Sequence, residues 1–139
     1  MEARRWAMSE LVVFDTNVFV SYLLPTKKIT AVKLAVARIF DKTATPVYSS
    51  ATIAEYVRVL HYDKFAFPPE RIKELLTFLL QNGLYVNPAS SSVPFIDVTD
   101  KCFYDAAVAT GAWLVTGNTR HFPSEGFIVC PAEYLKLVH

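Results

Sequence analysis

The sequence predicts an α/β fold in which helices cover both faces of a mainly parallel β-sheet. Short apolar runs, such as Leu11-Val12-Val13-Phe14, have the composition of buried strands. They alternate with longer segments whose apolar residues recur at helical spacing, as at Ile72, Leu75 and Leu79. Strands that alternate with helices indicate parallel strands joined by right-handed crossovers.

The first half of the chain is predicted to contain two strands and three helices. In order, they are a strand over Leu11–Phe14, a helix over Asn17–Leu24, a helix from its cap Thr30 to Phe40, a strand over Thr45–Ser49, and a helix from Ser49 or Ser50 to Leu60. Pro25 stops the first helix, and the Thr and Ser side chains cap the later ones. Because Pro46 has no amide proton, we expect it at the start of its strand or at a sheet edge.

The second half continues the alternation and contains one long loop. In order, the predicted elements are a helix from Pro68-Pro69 to Gln81, a strand over Leu84–Val86, a loop over Asn87–Pro94, a helix led by Asp97–Asp100 and ending at Thr110-Gly111, strands over Ala112–Thr116 and Phe127–Val129, and a helix from Pro131. Proline opens helices at their first turn, and Asn82-Gly83 ends one. The Ser- and Pro-rich loop is the segment expected to be flexible.

Composition limits the classes of function. The 139 residues suffice for one domain, predicted over residues 11–139 behind an extension over residues 1–10. A formal net charge of +1 excludes a strong overall field for nucleic acid, so any such binding needs a local patch. No apolar stretch approaches the roughly 20 residues of a membrane span. Cys102 and Cys130 lack metal-ligand spacing and are expected to be buried free thiols, which predicts a cytoplasmic protein.

Four oxygen-bearing side chains are predicted to meet at one edge of the sheet. Asp15 and Asn118 each follow an apolar strand, Asp100 begins a helix, and Glu55 lies in the helix after the second strand. In open α/β sheets, ligands bind at the carboxyl ends of the strands. Crowded carboxylates repel one another unless a cation or a shared proton is present. Oxygen ligands select Mg²⁺ or Mn²⁺ over zinc.

Each acid also has a purely structural interpretation. Asp15 and Asp100 suit helix N-terminal positions on local grounds. Glu55 fits a capping box with Thr52, and it also lies opposite the predicted Ile53/Val57/Leu60 stripe, where a solvated Glu would lie. Asp105, about 140° round the helix from Asp100, lies off the predicted packed face. It is expected to have a supporting or substrate-side role, or to be solvated.

The motifs resemble those of PIN-domain ribonucleases over nearly the whole chain from Leu11. The matching segments are Val12-Val13-Phe14-Asp15-Thr16-Asn17-Val18-Phe19, then Ser50 to Leu60 with Glu55, Asp100 to Thr116, Gly117-Asn118-Thr119-Arg120-His121-Phe122-Pro123, and Pro131-Ala132-Glu133-Tyr134-Leu135. The Thr-Gly-Asn-x-x-His-Phe-Pro stretch is the most specific of these and resembles the subgroup described as toxins of toxin–antitoxin pairs.

This resemblance implies a three-layer α/β/α sandwich with a parallel five-stranded sheet. It also implies Mg²⁺- or Mn²⁺-dependent cleavage of single-stranded RNA. Asp15, Glu55 and Asp100 fall on the family's three main acidic positions, and Asn118 falls on a fourth that is Asp in many members. The amide removes one negative charge but keeps an oxygen ligand. The resemblance further implies a homodimer and a small antitoxin protein whose Arg pairs with the carboxylates.

The resulting hypothesis is hydrolysis by a metal-activated water. Asp15 and Asp100 would hold the ion, with Glu55 binding directly or through water. Supporting roles are assigned to further residues at the same edge. Thr16, Asn17 and Thr116 would orient a carboxylate or a substrate phosphate, and Arg120 would contact a phosphate unless it is a solvated loop residue. His121 is expected to pack with Phe122.

Other classes of function make different predictions. A non-catalytic module of the same fold, binding RNA or a protein partner, would bind no metal. A phosphatase using Asp15 as nucleophile would need a second acid where Asn17 stands. A dinucleotide-binding protein would need Gly-x-Gly-x-x-Gly, which is absent from the sequence. Several aromatic side chains belong either to the core or to a dimer or antitoxin face, namely Tyr22, Tyr56, Tyr62, Phe65 and Phe67.

Overall fold

The computed structural model describes residues 10–138, whose strands join in a single five-stranded sheet. The strands are β1 (Glu10–Phe14), β2 (Ala44–Tyr48), β3 (Leu84–Tyr85), β4 (Trp113–Val115) and β5 (Ile128–Val129), in the spatial order β3-β2-β1-β4-β5. Every neighbouring pair is parallel, so all carboxyl ends face one edge, called here the rim. The predicted parallel α/β fold is confirmed. The predicted extension over residues 1–10 lies outside the described residues, except that Glu10 belongs to β1.

Helices form the other two layers of the α/β/α arrangement. Within the described residues they are α1 (Thr16–Leu23), α2 (Ala31–Phe40), α3 (Ser50–Leu60), α4 (Pro69–Asn82), α5 (Lys101–Thr110) and α6 (Pro131–Leu137). Short 3₁₀ turns occupy Asp63–Phe65, Val98–Asp100 and Thr119–His121. Helices α2 and α6 pack together, α3 packs on α5, and α5 crosses β1, β2 and β4. Helix α5 therefore carries its first residues over the centre of the sheet.

The predicted caps define the helix starts. The Thr30 side chain accepts a hydrogen bond from the Lys33 amide at 3.2 Å, and Ser49 accepts one from the Thr52 amide at 3.1 Å. Pro69 is the first residue of α4, where its missing amide proton costs nothing. Helix and strand bounds differ from the predictions by about one residue, which is the usual uncertainty at element ends.

Pro46 lies in the middle of β2, an interior strand, rather than at a strand start or a sheet edge. It is in register with Val12 of β1. On its other side, β3 pairs only with Val47 and Tyr48. At Pro46, β2 therefore pairs with β1 alone, although further along it lies between β1 and β3. The missing amide proton is tolerated because, within the described residues, no second strand lies beside Pro46.

Gly83 allows α4 to approach β2 closely before the chain turns into β3. A Cβ atom at this position would lie 2.5 Å from the Leu79 carbonyl oxygen and 2.8 Å from the Pro46 carbonyl oxygen. Both are backbone atoms that cannot move aside easily. The glycine is therefore required by space and not by an unusual backbone angle.

The central strand is the most buried part of the structure, with Val12, Val13 and Phe14 almost without solvent exposure. Tyr56 and Phe67 belong to this core, whereas Tyr62 is exposed. No helix of the described chain is long and apolar enough to cross a membrane. Cys102 and Cys130 are free thiols, but only Cys102 is partly covered, so the prediction that both are buried is wrong for Cys130.

Candidate active site

Asp15 lies at the rim, at the end of the central strand. Its amide donates to the Val115 carbonyl at 2.9 Å, which continues the ladder between β1 and β4. Its Oδ2 atom accepts a hydrogen bond from the Thr116 hydroxyl at 2.7 Å. Although Asp15 precedes α1, its side chain makes no capping hydrogen bond within residues 10–138. The side chain is therefore held by the next strand and does not act as a helix cap.

Burial raises the pKa of Asp15, because the charged form loses its hydration. Four neighbours oppose this effect: the Thr116 hydroxyl, the backbone amides of Thr16 and Asn17, and the charge of His121. Desolvation therefore destabilises the charged carboxylate, and the neighbouring donors offset part of this cost. A nearby cation would relieve the remaining cost.

Asp100 stands opposite, at the end of the Val98–Asp100 turn and directly before α5. Its Oδ2 atom is buried and has no hydrogen-bond partner among the described residues. The His121 Nδ1 atom lies 3.4 Å from that oxygen. Burial, then the charges of Asp15 and Asp97, raise the pKa of Asp100 from 3.8 to about 6, against the opposing effect of His121. The carboxylates of Asp15 and Asp100 are therefore close enough at the rim to repel each other.

Glu55 lies on α3 and is engaged with a neighbour on the same helix. Its Oε1 atom is 2.7 Å from Nη2 of Arg58. The predicted capping box with Thr52 is wrong, since Ser49 and Thr52 form the box by exchanging side-chain and backbone hydrogen bonds. The predicted apolar stripe is also displaced: Thr52, Tyr56 and Leu60 are buried, whereas Val57 is exposed.

All three acids lie near the Cys102 thiol. Burial, and then the charges of Glu55, Asp15 and Asp100 in that order, raise the pKa of Cys102 to about 12. Within residues 10–138, however, no three His, Cys, Asp or Glu side chains converge closely enough to hold a metal ion as they stand. Since Glu55 is paired with Arg58, the structure brings together Asp15 and Asp100 and leaves Glu55 beside them.

The segment after β4 is fastened to the start of α1. The Gly117 amide donates to Oδ1 of Asn17 at 3.0 Å. The Asn118 amide donates to the Thr116 hydroxyl at 3.0 Å, so that Thr116 links Asn118 to Asp15. The Thr16 hydroxyl is buried and lacks a hydrogen-bond partner in the described chain. The three residues predicted to orient a carboxylate or phosphate therefore lie together next to Asp15.

Asp105 is buried, so the solvated alternative is wrong for this residue. It accepts a hydrogen bond from the Ser91 amide at 3.2 Å and pairs with Lys101 at 3.2 Å. The prediction failed because the loop over 86–97 covers this face of α5, and loop paths are not encoded in helical periodicity. Asp105 holds that loop against the helix that Asp100 begins.

Arg120 is exposed and is not brought to the acids by the structure. It lines an open cavity of about 650 Å³ between the Thr119–His121 turn and α6, together with Phe122, Glu133 and Leu137. None of Asp15, Glu55 and Asp100 lines this cavity. A phosphate contact by Arg120 stays a prediction.

His121 was assigned to packing, but it contacts the acidic site. Besides its approach to Asp100, its Nε2 atom lies 3.0 Å from Nδ2 of Asn118. The signal was present in the spacing, because residues three apart are joined in a 3₁₀ turn. Arg58, three residues after Glu55 on a helix, was also missed, although that spacing places two side chains side by side.

Comparison with known protein families agrees with this geometry. The family model of the PIN domain matches residues 11–120, which include all three acids and Asn118. A comparison with curated proteins finds no match. PIN domains are generally nucleases and typically use divalent metal ions. The parallel sheet, with Asp15 at the end of its central strand and Asp100 beside it at the start of α5, and the match over most of the chain together show that the protein belongs to the PIN-domain family, whose fold is of the nuclease type.

Proposed function

We propose that this protein is a divalent-metal-dependent ribonuclease that cleaves single-stranded RNA. The observation that carries the proposal is the approach of two carboxylates. Among the described residues, the buried Oδ2 atom of Asp100 makes no hydrogen bond, has the His121 ring nitrogen 3.4 Å away, and lies next to the Asp15 carboxylate. A buried carboxylate oxygen without a donor is costly unless a proton or a cation binds it.

The side chains present fit Mg²⁺ or Mn²⁺ better than a softer metal. Asp15 and Asp100 would hold the ion, and both offer hard oxygen atoms. Glu55 would join them, directly or through water, after leaving Arg58. Since Arg58 is exposed to solvent, the ion pair contributes little free energy, and Glu55 can leave Arg58 for the metal ion at a small cost.

When bound, the ion would activate a water molecule and neutralise charge on the phosphoryl oxygens. The chain's own residues prepare the site. Thr116 keeps Asp15 ionised and oriented through its 2.7 Å hydrogen bond. The Thr16 hydroxyl is buried and has no partner in the described structure, so we assign it to orienting the neighbouring Asp15 carboxylate and not to contacting substrate. Hydrolysis in this manner leaves 5′-phosphate and 3′-hydroxyl ends.

The test combines Mn²⁺ titration by calorimetry with cleavage of an end-labelled single-stranded RNA. We expect the wild type to bind and cleave, and Asp100→Asn and Glu55→Gln to lose activity by about 100-fold or more. Glu74→Gln, which removes a matched charge from an exposed position on α4, is the control and should behave as wild type. Full activity of Asp100→Asn would refute the proposed function.

A non-catalytic RNA- or protein-binding module is the second candidate. It is favoured by the Glu55–Arg58 pair, which keeps the third acid away from the other two in the described structure. The same calorimetry separates the candidates. A binding module gives no Mn²⁺ heat in the wild type, even in the presence of RNA.

We extend the proposal to a toxin role, with a small antitoxin protein and a homodimer as partners. Support comes from the two carboxylates, which a partner's Arg would neutralise, and from a cavity of about 350 Å³. Its walls combine aromatic side chains, such as Tyr22 and Phe40, with the charged Arg71 and Glu74. Expression under a tightly controlled promoter should arrest growth for the wild type and not for Asp100→Asn. Equal growth in both would exclude the toxin role.

A further inference from the structure

A row of stacked aromatic rings lies at the end of α3, beside the acidic site. Tyr62 and Phe65 have ring centroids 6.1 Å apart with planes inclined by 21°, and Phe65 and Phe67 are 5.2 Å apart at 14°. Ala66, between the two Phe residues, has a φ of 53°. This left-handed residue ends the Asp63–Phe65 turn, directly before the chain continues to Phe67.

Two cations are held over this row. The guanidinium carbon of Arg58 lies 5.7 Å from the Tyr62 ring centroid. The Lys64 Nζ atom lies 5.9 Å from the Tyr62 centroid and 5.3 Å from that of Phe65. We call Arg58, Tyr62, Lys64 and Phe65 the aromatic ledge. The ledge combines π-faces with positive charge at the surface of a chain whose net charge is only +1.

Core packing accounts for only part of the ledge, since Phe65 is half-buried and packs against the core. Phe67 anchors it in the core, whereas Tyr62 is 37% exposed and Arg58 and Lys64 are exposed. Surface aromatic rings with interleaved cations are the composition of sites for single-stranded nucleic acid. There, rings stack on bases of any sequence and cations follow the phosphates.

The ledge is continuous with the acidic site through one side chain. Arg58 donates to the Glu55 carboxylate at 2.7 Å and also donates to the Tyr62 hydroxyl. A strand lying on Tyr62 and Phe65 therefore has its neighbouring phosphate next to Glu55. If Glu55 turns toward the other acids, the same movement frees Arg58 for that phosphate.

We propose that the aromatic ledge binds the single-stranded RNA next to the cleaved phosphate. Bases pack against Tyr62 and Phe65, while Lys64 and Arg58 contact phosphates. This inference rests on the proposed function for the identity of the substrate. It assigns the part of the surface that selects single strands, because the rings can reach only bases that are not paired in a duplex.

The test measures binding of a fluorescein-labelled single-stranded RNA of about 12 nucleotides by anisotropy, in EDTA so that no cleavage occurs. We expect Tyr62→Ala to weaken binding by about tenfold. Lys64→Ala should reduce the slope of log K against log salt by about 0.7. Lys73→Ala, at an exposed lysine of α4 outside the ledge, is the matched control for Lys64→Ala.

Two further variants separate stacking from folding. Tyr62→Phe keeps the ring and should bind as wild type, whereas Tyr62→Leu keeps apolar bulk without a π-face and should resemble Tyr62→Ala. Wild-type affinity in Tyr62→Leu and Lys64→Ala would overturn the inference. Equal competition by duplex RNA, or no RNA binding by the wild type, would also overturn it.

Cleavage assays distinguish this inference from the proposed function. Ledge variants should raise KM for single-stranded RNA while kcat stays near the wild-type value. A wild type that binds RNA through the ledge without cleaving it supports the ledge and contradicts the proposed nuclease. A wild type that cleaves RNA with unchanged KM in all ledge variants supports the nuclease and contradicts the ledge.

Discussion

The environment of Asp100 destabilises the ionised form of its carboxylate. Its carboxylate is partly buried, faces Asp15, and has one oxygen without a donor in the part of the chain that the structure describes. Natural proteins keep such destabilising arrangements where function requires them, since selection acts on activity as well as on stability. The arrangement has a measurable cost in the absence of metal.

Asp100→Asn should stabilise the metal-free protein at neutral pH. The native pKa of Asp100, about 6, exceeds the ordinary value of 3.8, so between these values the native state binds more protons than the unfolded state. The free energy of unfolding of the wild type therefore falls as pH rises from about 4 to about 6. Thermal unfolding in EDTA should show Asn raising Tm by a few degrees at pH 7 and matching the wild type near pH 4. An Asn variant less stable than the wild type at pH 7 contradicts this interpretation.

Thr116→Val should impair Asp15 without changing the shape of the site. The buried hydroxyl donates to Asp15 and accepts from the Asn118 amide, so its loss leaves two groups short of a partner. We expect a loss of about 1–3 kcal/mol in the free energy of unfolding. The pKa of Asp15, already raised by burial, should rise further, so the acidic limb of the activity profile should move to higher pH. Thr116→Ser, which keeps the hydroxyl, is the control. A pH profile that coincides with the wild type would show that the bond does not tune Asp15.

At the scale of secondary-structure elements, Tyr56 joins the two that carry Asp15 and Glu55. Its hydroxyl, at the buried face of α3, donates to the carbonyl of Phe14 at the end of β1. The residues next to these two in the chain are Glu55 and Asp15. The bond therefore fixes the distance between two acid-bearing elements from inside the core.

Tyr56→Phe should loosen that junction. Phe fills nearly the same space but leaves the buried Phe14 carbonyl without this donor, at a cost of about 1–2 kcal/mol. Urea denaturation measures the loss, and Mn²⁺ titration should show weaker binding. Tyr85→Phe, at an exposed tyrosine of β3, should change the free energy of unfolding by less than about 0.5 kcal/mol. Equal effects of the two substitutions would argue against the junction.

The sequence predicts elements better than it predicts their neighbours. Strands ending at Phe14 and Val115 follow from apolar runs, and that alone places Asp15 and Asn118 at the rim. The position of Pro46 inside an interior strand was not predicted, because it depends on β3 being too short to reach Pro46. The solvated alternative for Asp105 and the packing role of His121 alone are wrong, because partners of both come from segments outside the regular helices, whose paths depend on tertiary contacts and not on periodicity.

For the whole molecule, the small net charge predicts a modest electrostatic contribution to RNA binding. Binding through the two ledge cations releases few counterions, so log K should fall with log salt with a slope between about −1 and −2. Anisotropy titrations over a range of salt concentrations measure this slope. A much steeper slope would mean that phosphates follow a wider basic surface than the ledge.

The hydrogen bond between Thr116 and Asp15 spans 101 residues of chain, and it also reflects the pairing of β1 with β4. Chains emerge from the ribosome in order, so Asp15 is made 101 residues before its partner exists. Such distant pairing also makes folding slow. Newly made or truncated chains that stop before β4 would thus carry the acids without the strand that aligns them. Any activity of this site begins only after β4 and Thr116 have been synthesised.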